Sequence, residues 1–255
     1  MTLSLTLSLL SACDLSGAPV SPVDSDTLEV VDPAEFEPAG TDLERFDFTA
    51  RAEVADAVFV GEVERIDYRQ SSPDSRGGTL PFTFVTWRAE RAWKGVAPGQ
   101  RVTARFVGGV TPEGYASVVS ELPLFQEGDR DVIFLDQNGL AGCPLLGCAA
   151  GRLRLIDGRV YDDEGGSLVA DEAGEVVVGG WRNLPEVNVV TVGTVLVDRR
   201  VDQDGPGEGA DGMPERAFTG LLDSRLVNLR SAPTTRSVNP DAPFVVRFLD
   251  REPSR

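Results

Sequence analysis

Few side chains in this 255-residue chain are suited to covalent or metal chemistry. The chain has three cysteines, one lysine and no histidine. Without histidine, neither a Ser-His-Asp nor a Cys-His nucleophile can be assembled, and no histidine-ligated zinc, iron or copper site can form. A catalytic mechanism would have to use paired carboxylates, the lysine or a carboxylate-bound metal. The sequence therefore predicts a protein that is not an enzyme.

The first cysteine, Cys13, follows an apolar segment at residues 3–12. This segment is shorter than the ~20 residues that a helix needs to cross a bilayer, and its length is typical of a secretory signal. The run Leu10-Ser11-Ala12-Cys13 resembles the lipobox of bacterial lipoproteins. In that family the cysteine receives a diacylglycerol thioether, the signal peptide is cut before it, and the new amino group is acylated. The resemblance implies a signal peptide at residues 1–12 and a lipidated Cys13, whose two or three acyl chains hold stably in a bilayer.

The segment after Cys13 has the composition of a tether. Residues 14–40 contain four prolines and several acidic and small residues, with no periodic apolar pattern. Such a segment cannot bury enough apolar surface to offset the entropy lost on ordering. We expect residues 13–40 to form a lipidated cysteine and a flexible tether that reaches about 30 Å. The expected location is the bacterial cell envelope, anchored to a membrane and extracytoplasmic (periplasmic or at the cell surface).

The other two cysteines, Cys143 and Cys148, lie in the short sequence CPLLGC. In an oxidising compartment an even pair this close predicts a structural disulfide. Their spacing differs from that of a thioredoxin-like pair, and two thiolates without histidine or further cysteines make a poor zinc site. A loop this short stabilises a fold by only about 2 kcal/mol.

The acidic stretch at residues 198–212 is a candidate calcium loop. An EF-hand loop that began at Asp202 would place Asp204 at its third position, but its twelfth position is Met213, so the bidentate glutamate is missing. Two interpretations stay open: a solvated loop, and a weak calcium site that uses Asp202, Asp204 and Asp211. No other cofactor is expected.

The net charge limits the classes of partner. The chain has 24 basic and 41 acidic residues, a net charge of −17. Such a surface repels phosphate backbones, so we expect no binding to nucleic acid. It also disfavours docking on anionic lipid. The expected partners are the lipid bilayer, through the acylated Cys13, and an unidentified envelope protein. The acids of residues 162–166 are expected to be solvated.

Valine-rich segments between glycine- and proline-containing turns indicate a β-rich protein. The strand candidates, after a short helix or turn within 41–56, are 57–69, 80–95, 101–109, 115–120, 129–137, 151–162, 175–180 and 186–200. The second strand is predicted to place one set of residues on a single face: Thr83, Val85, Trp87, Ala89, Arg91 and Trp93. The two tryptophans are expected to pack in the core. A helix is predicted at 213–230 with an apolar stripe of Phe218, Leu221, Leu222, Leu226 and Leu229.

Two further features have simple interpretations. Lys94 ends the second predicted strand, and we expect it to lie at solvent. Gly108-Gly109 is predicted to be a turn and not a phosphate-binding loop, because no helix with Gly-Lys-Ser/Thr follows it.

Short strands separated by turns predict a closed or partly open barrel, because an open sheet would expose its edges. The predicted fold class is mainly β, an OB-like closed or partly open β-barrel with a C-terminal helix and extra strands. The barrel is assigned to residues 41–165. Residues 166–232 are expected to add strands and the amphipathic helix, which packs on the barrel, and 233–255 a mostly irregular tail.

Residues 55–160 contain the segments ADAVFVGEVERI, FVTWRAERAWKG and VGGVTPEGYASVVSELPLFQEGDRDVIFL. This pattern resembles a group of uncharacterised secreted bacterial proteins. The resemblance implies an OB-like fold, similar to the amino-terminal domain of tissue inhibitors of metalloproteinases, and carries no activity with it. Those inhibitors use a free amino-terminal cysteine, whereas Cys13 is predicted to be acylated and far from the domain.

The sequence as a whole favours a non-enzymatic envelope interaction or structural module. Two alternatives stay open at this point. One is a calcium-dependent binding module that uses the loop at residues 198–212. The other, less favoured, is a carboxylate-based hydrolase with two acids in one cleft.

Overall fold

The computed structural model describes residues 47–73, 76–199, 211–229, 235 and 237–244, all of which belong to one compact unit. The predictions for the signal peptide, for Cys13 and for the tether fall outside the described residues. Asp202 and Asp204 also fall outside them. No helix among the described residues is both long enough and apolar enough to cross a bilayer.

The described chain forms twelve strands and three α-helices. In chain order these are α1 (Phe48–Val54), β1 (Ala57–Gln70), β2 (Pro81–Lys94), β3 (Arg101–Val107), β4 (Gly109–Val110), β5 (Ala116–Ser117), β6 (Arg130–Leu135), β7 (Arg152–Ile156), β8 (Arg159–Asp162), β9 (Gly166–Ala170), β10 (Val176–Trp181), α2 (Pro185–Asn188), β11 (Val189–Val192), β12 (Val195–Asp198) and α3 (Glu215–Arg225). Short 3-10 turns lie at Cys148–Gly151 and Val227–Leu229.

Eight strands form one antiparallel sheet in the order β10-β9-β8-β7-β6-β1-β2-β3. Two small two-stranded sheets, β4-β5 and β11-β12, accompany it. The prediction of a mainly β protein is therefore confirmed. The ladder ends at β3 on one side and β10 on the other, and these end strands do not pair with each other, so the eight strands do not close on themselves.

The long β2 strand changes face part of the way along its length. Its pairing with β1 shifts register between Val60 and Gly61, where the partner changes from Arg91 to Ala89 and Glu90 is the extra residue. Such a bulge reverses which side of the sheet the following side chains occupy. The prediction of one shared face from Thr83 to Trp93 was wrong for this reason.

The sheet carries an apolar core on each face. One cluster lies against α1 and α3; it contains Trp93 and the aromatic pair Phe48 and Phe218, whose ring centroids are 5.0 Å apart. The other cluster surrounds Trp87, whose ring meets the edge of Phe125 at 5.4 Å between centroids. Both tryptophans are buried, as expected, but in different cores.

A short irregular segment connects the free edge of β3 to β6. The Val107 amide donates to the Gly142 carbonyl at 2.8 Å, and Leu145 forms a bridge with Leu135 of β6. Between these two contacts lies Cys143, which forms a disulfide with Cys148. The disulfide predicted from the CPLLGC spacing is confirmed, and it holds the segment that lies between the two strands.

Several predicted elements differ in extent. The candidate strand at 115–120 is reduced to Ala116–Ser117, because Val118 and Val119 are exposed and leave the pairing. The segment 186–200 is not one strand: α2 precedes a hairpin that turns at Gly193. Strand β9 was not predicted. It is short, and only one pair, Tyr161 with Ser167, joins it to β8.

Lys94 ends β2, as predicted, but it is half-buried and its ammonium group is engaged by α1. Its Nζ donates to the carbonyl oxygens of Ala52 at 3.0 Å and of Glu53 at 2.8 Å, in the last turn of α1. These carbonyls have no partner within the helix and carry partial negative charge, which the ammonium group compensates. At the other end, Asp47 accepts hydrogen bonds from the amides of Thr49 and Ala50. Both ends of this short helix are therefore capped by side chains.

We expect Lys94→Met to lower the free energy of unfolding by about 1 kcal/mol, because it removes the charge and both hydrogen bonds from the end of α1. Lys94→Arg keeps the charge and should lose less. Urea denaturation of the two variants measures the difference. Equal losses would contradict the capping role of the charge.

Candidate functional site

The most unusual site in the structure is a buried network of ion pairs at the start of β6 and β7. Strand β7 reads Arg-Leu-Arg-Leu-Ile, and its leucines, Leu153 and Leu155, belong to the core beside α1 and α3. Because side chains alternate along a strand, Arg152 and Arg154 lie on the opposite face. Antiparallel pairing places Asp131 of β6 directly across from Arg154.

Arg152 is the centre of this network. Its Nε lies 3.0 Å from Asp131 Oδ1, its Nη1 donates to Asp163 Oδ1 at 3.0 Å, and its Nη2 donates to Asp129 Oδ2 at 2.7 Å. Nη1 also donates to the Leu124 carbonyl at 2.6 Å. One face of the guanidinium lies 4.1 Å from the centroid of the Phe125 ring. Both terminal nitrogens therefore donate hydrogen bonds within the protein, whereas the buried Nε faces Asp131 at ion-pair distance without a hydrogen bond.

The second guanidinium shares the same acids. Arg154 Nη2 donates to Asp129 Oδ1 at 2.8 Å, and its Nε lies 3.3 Å from Asp131 Oδ1. Arg199, which follows β12, donates from Nη2 to Asp163 Oδ2 at 3.1 Å. The network thus contains three guanidinium groups and three carboxylates, and its formal charges balance.

Burial and charge oppose each other at these groups. Arg152, Asp131 and Asp163 are almost completely inaccessible. Burial lowers the pKa of Arg152, but the carboxylates of Asp131, Asp163 and Asp129 outweigh it, and the net effect raises the pKa. Burial raises the pKa of Asp131, and the two neighbouring guanidiniums oppose that shift without cancelling it, so the net effect is a raised pKa. The arginine therefore stays cationic, and its charge is matched by the acids around it.

This arrangement is suited to holding segments together. Arg152 reaches the loop at residues 124–129, strand β6 and the end of β8, while Arg154 donates to the Glu186 carbonyl of α2 at 3.3 Å. Asp129 and Asp131 face guanidinium groups and do not line either of the two cavities described below.

The larger of these cavities is an open groove of about 840 Å³ beside β1, β2 and β3. The hydroxyls of Thr86 and Thr103 lie in it and hydrogen-bond to each other at 2.9 Å. Three acids lie on its wall: Glu62 pairs with Arg88 at 2.7 Å, Glu64 pairs with Arg101, and Glu127 accepts a hydrogen bond from the Ile66 amide at 3.3 Å. The smaller cavity, of about 20 Å³, lies between the β4–β5 segment and β11.

The described part of the chain gives no support to the calcium prediction. Asp211 already has cationic partners: it forms ion pairs with Arg159, at 3.7 Å, and with Arg182. No cluster of three or more metal-binding side chains occurs among the described residues. Because Asp202 and Asp204 lie outside them, calcium binding by the acidic loop stays a prediction.

The prediction that the acids of 162–166 are solvated was wrong for two of them. Asp163 is buried in the ion network, as described above. Asp162 accepts hydrogen bonds from the Glu164 amide at 2.9 Å and the Gly166 amide at 2.6 Å. Burial nevertheless raises the pKa of Asp162 to about 6, and these hydrogen bonds only partly oppose the shift.

The sequence contains a signal for the network that the predictions did not use. In residues 129–131 two aspartates flank an arginine, and in residues 152–154 two arginines flank a leucine. The residues that follow them in β6 and β7 are apolar. Alternate arginines and aspartates on two consecutive strands predict cross-strand ion pairs if those strands are neighbours. The contribution of Asp163 and Arg199 required the folded structure, because both come from distant segments.

Comparison with protein-family models, with curated proteins and with solved structures gives no match to this chain.

We expect Arg152→Met to lower the free energy of unfolding by about 3–5 kcal/mol, because it leaves buried carboxylates without their cation. Arg101→Met, which breaks the exposed ion pair with Glu64, is the matched control and should cost about 0–1 kcal/mol. Urea denaturation provides both values. The double variant Arg152→Met with Asp131→Asn should regain part of the loss, since it removes one unpaired charge. Equal effects of the two single variants would contradict the importance of the network.

The raised pKa of Asp162 predicts a pH-dependent effect. The folded state binds this proton more tightly than the unfolded chain, so stability falls as pH rises from about 4 to about 6. Asp162→Asn should remove that loss and stabilise the protein by about 1–3 kcal/mol at pH 7, with little change at pH 4.

Urea denaturation at the two pH values measures this effect. Asp171→Asn is the control, because Asp171 accepts the same pattern of hydrogen bonds, from the amides of Ala173 and Glu175. A gain for Asp162→Asn that is no larger at pH 7 than at pH 4 would show that burial does not disfavour the charged carboxylate.

Proposed function

We propose that this chain is a bacterial lipoprotein, anchored through Cys13, whose β domain acts outside the cytoplasm as a non-enzymatic interaction module. One observation carries the proposal. The disulfide between Cys143 and Cys148 uses two of the three cysteines and leaves Cys13 as the remaining thiol. That thiol is the one that follows the Leu-Ser-Ala run of the lipobox.

The disulfide also supports the proposed compartment. Disulfides persist mainly in oxidising environments such as the periplasm and the cell surface. A lipobox places the mature protein in the same environments. The two features are independent, since one comes from the first residues of the chain and the other from the folded domain.

The state of the charged groups supports an interaction role over a catalytic one. The buried acids of the ion network face arginines, and the sole lysine caps α1, as described above. The described domain thus uses these groups for stability. An interaction module requires only a stable domain with a suitable surface.

We further infer that the part of the sheet around Trp87 is a partly open, OB-like barrel. Strand β1 supports this inference, because it pairs with β2 along its length and with β6 along its first half. The segment from Gly142 to Leu145, which contacts both β3 and β6, supports closure around the Trp87 core. An experimental structure in which β1, β2 and β3 lie flat, with that segment away from β3, would contradict the inference.

Cys13→Ala should move the protein from the membrane fraction to the soluble fraction of its native cells, because no acyl chain can then be attached. Incorporation of an alkynyl palmitate analogue, which the unaltered protein should show, should be lost as well. Fractionation by ultracentrifugation, followed by immunoblotting, measures the distribution.

The control is the double variant Cys143→Ser with Cys148→Ser, which removes the disulfide but keeps Cys13. It should remain in the membrane fraction and keep the palmitate label. The proposal fails if Cys13→Ala remains membrane-bound to the same extent as the unaltered chain, or if it still incorporates the label.

A further inference from the structure

The open groove crosses β1, β2 and β3 on the side of these strands that faces away from the Trp87 core. Thr86 and Thr103 form its floor, because Thr86 alternates with Trp87 along β2 and lies directly opposite Thr103 of β3. Neighbouring strands lie about 4.8 Å apart, so the three strands make a floor roughly 10 Å wide. The volume of about 840 Å³ is typical of a site for a small organic ligand.

Two irregular features form the walls of the groove. On β1, a register shift in the pairing with β2 inserts Glu64 as an extra residue. The loop before β6 is held beside it, since the Gly128 amide donates to the Val63 carbonyl at 2.8 Å. On the other side, Ser237 lies along the edge of β3, where its hydroxyl accepts a hydrogen bond from the Thr103 amide at 3.1 Å. Contacts of the folded chain therefore hold both walls in place.

The floor has a hydrogen-bond donor that the protein does not use. Each threonine hydroxyl has one proton, and the hydrogen bond between Thr86 and Thr103 uses only one of the two. No acceptor for the second proton occurs among the described residues. The two residues are only 6% and 7% exposed. Because a buried donor without an acceptor is unfavourable, this position favours an oxygen atom from outside the chain.

The walls offer donors and acceptors side by side. Arg101 uses Nε and Nη2 for Glu64, so its Nη1 can donate to another molecule, and its side chain is 69% exposed. Glu127 accepts from the Ile66 amide through Oε1, so its Oε2 can accept from another molecule. A hydroxyl group donates one hydrogen bond and accepts up to two. A ligand with several hydroxyl groups can therefore satisfy both kinds of site.

Most charged groups along the groove are already paired. Five charged residues line it: Glu62, Glu64, Glu127, Arg65 and Arg101. Arg88 pairs with Glu62 at 2.7 Å and with Glu64 at 3.0 Å. Arg65 pairs with Asp67 at 2.7 Å. A ligand with a net charge would have to compete with these ion pairs, whereas an uncharged ligand can bind beside them.

The groove offers almost no apolar surface. The one hydrocarbon side chain among its described lining residues is Val63, which is 1% exposed. An apolar ligand would leave the hydroxyl and charged groups of the groove without partners, which is unfavourable. A peptide bound in a groove gains affinity from apolar anchors in pockets, and the described lining provides no such pocket.

We propose that this groove is a binding site for an uncharged saccharide chain. The hydroxyl groups of a sugar accept hydrogen bonds from the threonine pair and from Arg101, and they donate to Glu127. Such a chain needs neither a net charge nor an apolar pocket. This step rests on the proposed function in that it names a ligand class for the interaction module.

The test measures binding to the full-length chain by calorimetry, in a detergent that has no sugar headgroup. The uncharged probes are the tetramers of glucose, of mannose and of N-acetylglucosamine. The charged probe is the tetramer of glucosamine, which carries protonated amines in place of the acetamido groups. We expect at least one uncharged tetramer to bind with a dissociation constant below about 1 mM, and the charged tetramer to bind more weakly. Salt between about 0.05 and 0.5 M should change that constant less than about twofold, because an uncharged ligand has no charge to screen.

Variants of the floor locate the site. Thr86→Val with Thr103→Val removes both hydroxyls together, so that neither is left without its partner, and the fold should persist. We expect this double variant to bind about tenfold more weakly, because the floor loses its donor. Thr219→Val is the matched control, since Thr219 is also 6% exposed but lies in α3. It should bind like the unaltered chain, and thermal denaturation verifies that both variants are folded.

Four results would overturn the proposal: no uncharged tetramer binds, the glucosamine tetramer binds more tightly than the uncharged ones, salt weakens the binding, or the double variant binds as tightly as Thr219→Val. Fractionation of the native cells tests the anchor separately. Saccharide binding by a chain that is found in the soluble fraction would support the groove and would contradict only the anchoring through Cys13.

Discussion

The burial of Arg152 is the constraint on which the domain depends. Removing a guanidinium from water costs several kcal/mol, and only close carboxylates with good geometry offset that cost. Here Asp129, Asp131 and Asp163 provide them, from two separate segments of the chain. Each of those segments must therefore be in place before the arginine can be buried. The network acts as a requirement for correct assembly as well as a source of stability.

This requirement explains how the hairpin β11–β12 is attached to a sheet with which it does not pair. Strands β11 and β12 pair only with each other, and an isolated two-stranded hairpin has marginal stability in water. Arg199 at its base reaches Asp163, and α2 before it accepts a hydrogen bond from Arg154. The inner face of the hairpin is buried through Val190 and Val192, and the polar contacts at its base add to that packing. The exposed residues near its turn are then available for other contacts.

The residue pattern along the chain predicted the main elements well. The strand expected at 57–69 is Ala57–Gln70, and the one expected at 80–95 is Pro81–Lys94, because alternation and flanking turns define long strands. The disulfide was predictable from its short spacing. The face of Trp93 was not predictable, since the bulge at Glu90 arises from pairing with β1. The position of β10 at the edge of the sheet was not predictable either. This strand joins the sheet through β9, which is short and has no clear alternating pattern of apolar residues.

The ion network marks the limit of such prediction. Alternate charges at 129–131 and 152–154 are visible in the sequence, but solvent exposure is the usual expectation for them. Only the register between β6 and β7, and the return of Asp163 and Arg199 to the same place, turn them into a buried cluster. Local patterns carry information on strands, whereas this site depends on four segments that meet only in the folded chain.

Lys94 gives the molecule an internal reporter. It is the only lysine, so its ammonium group is the single side-chain amine that acylating reagents can modify. In the folded protein that amine is engaged with the Ala52 and Glu53 carbonyls. Reaction of this half-buried amine therefore competes with its two hydrogen bonds to α1. The rate of amine acylation reports on the order at the end of α1, without any introduced label.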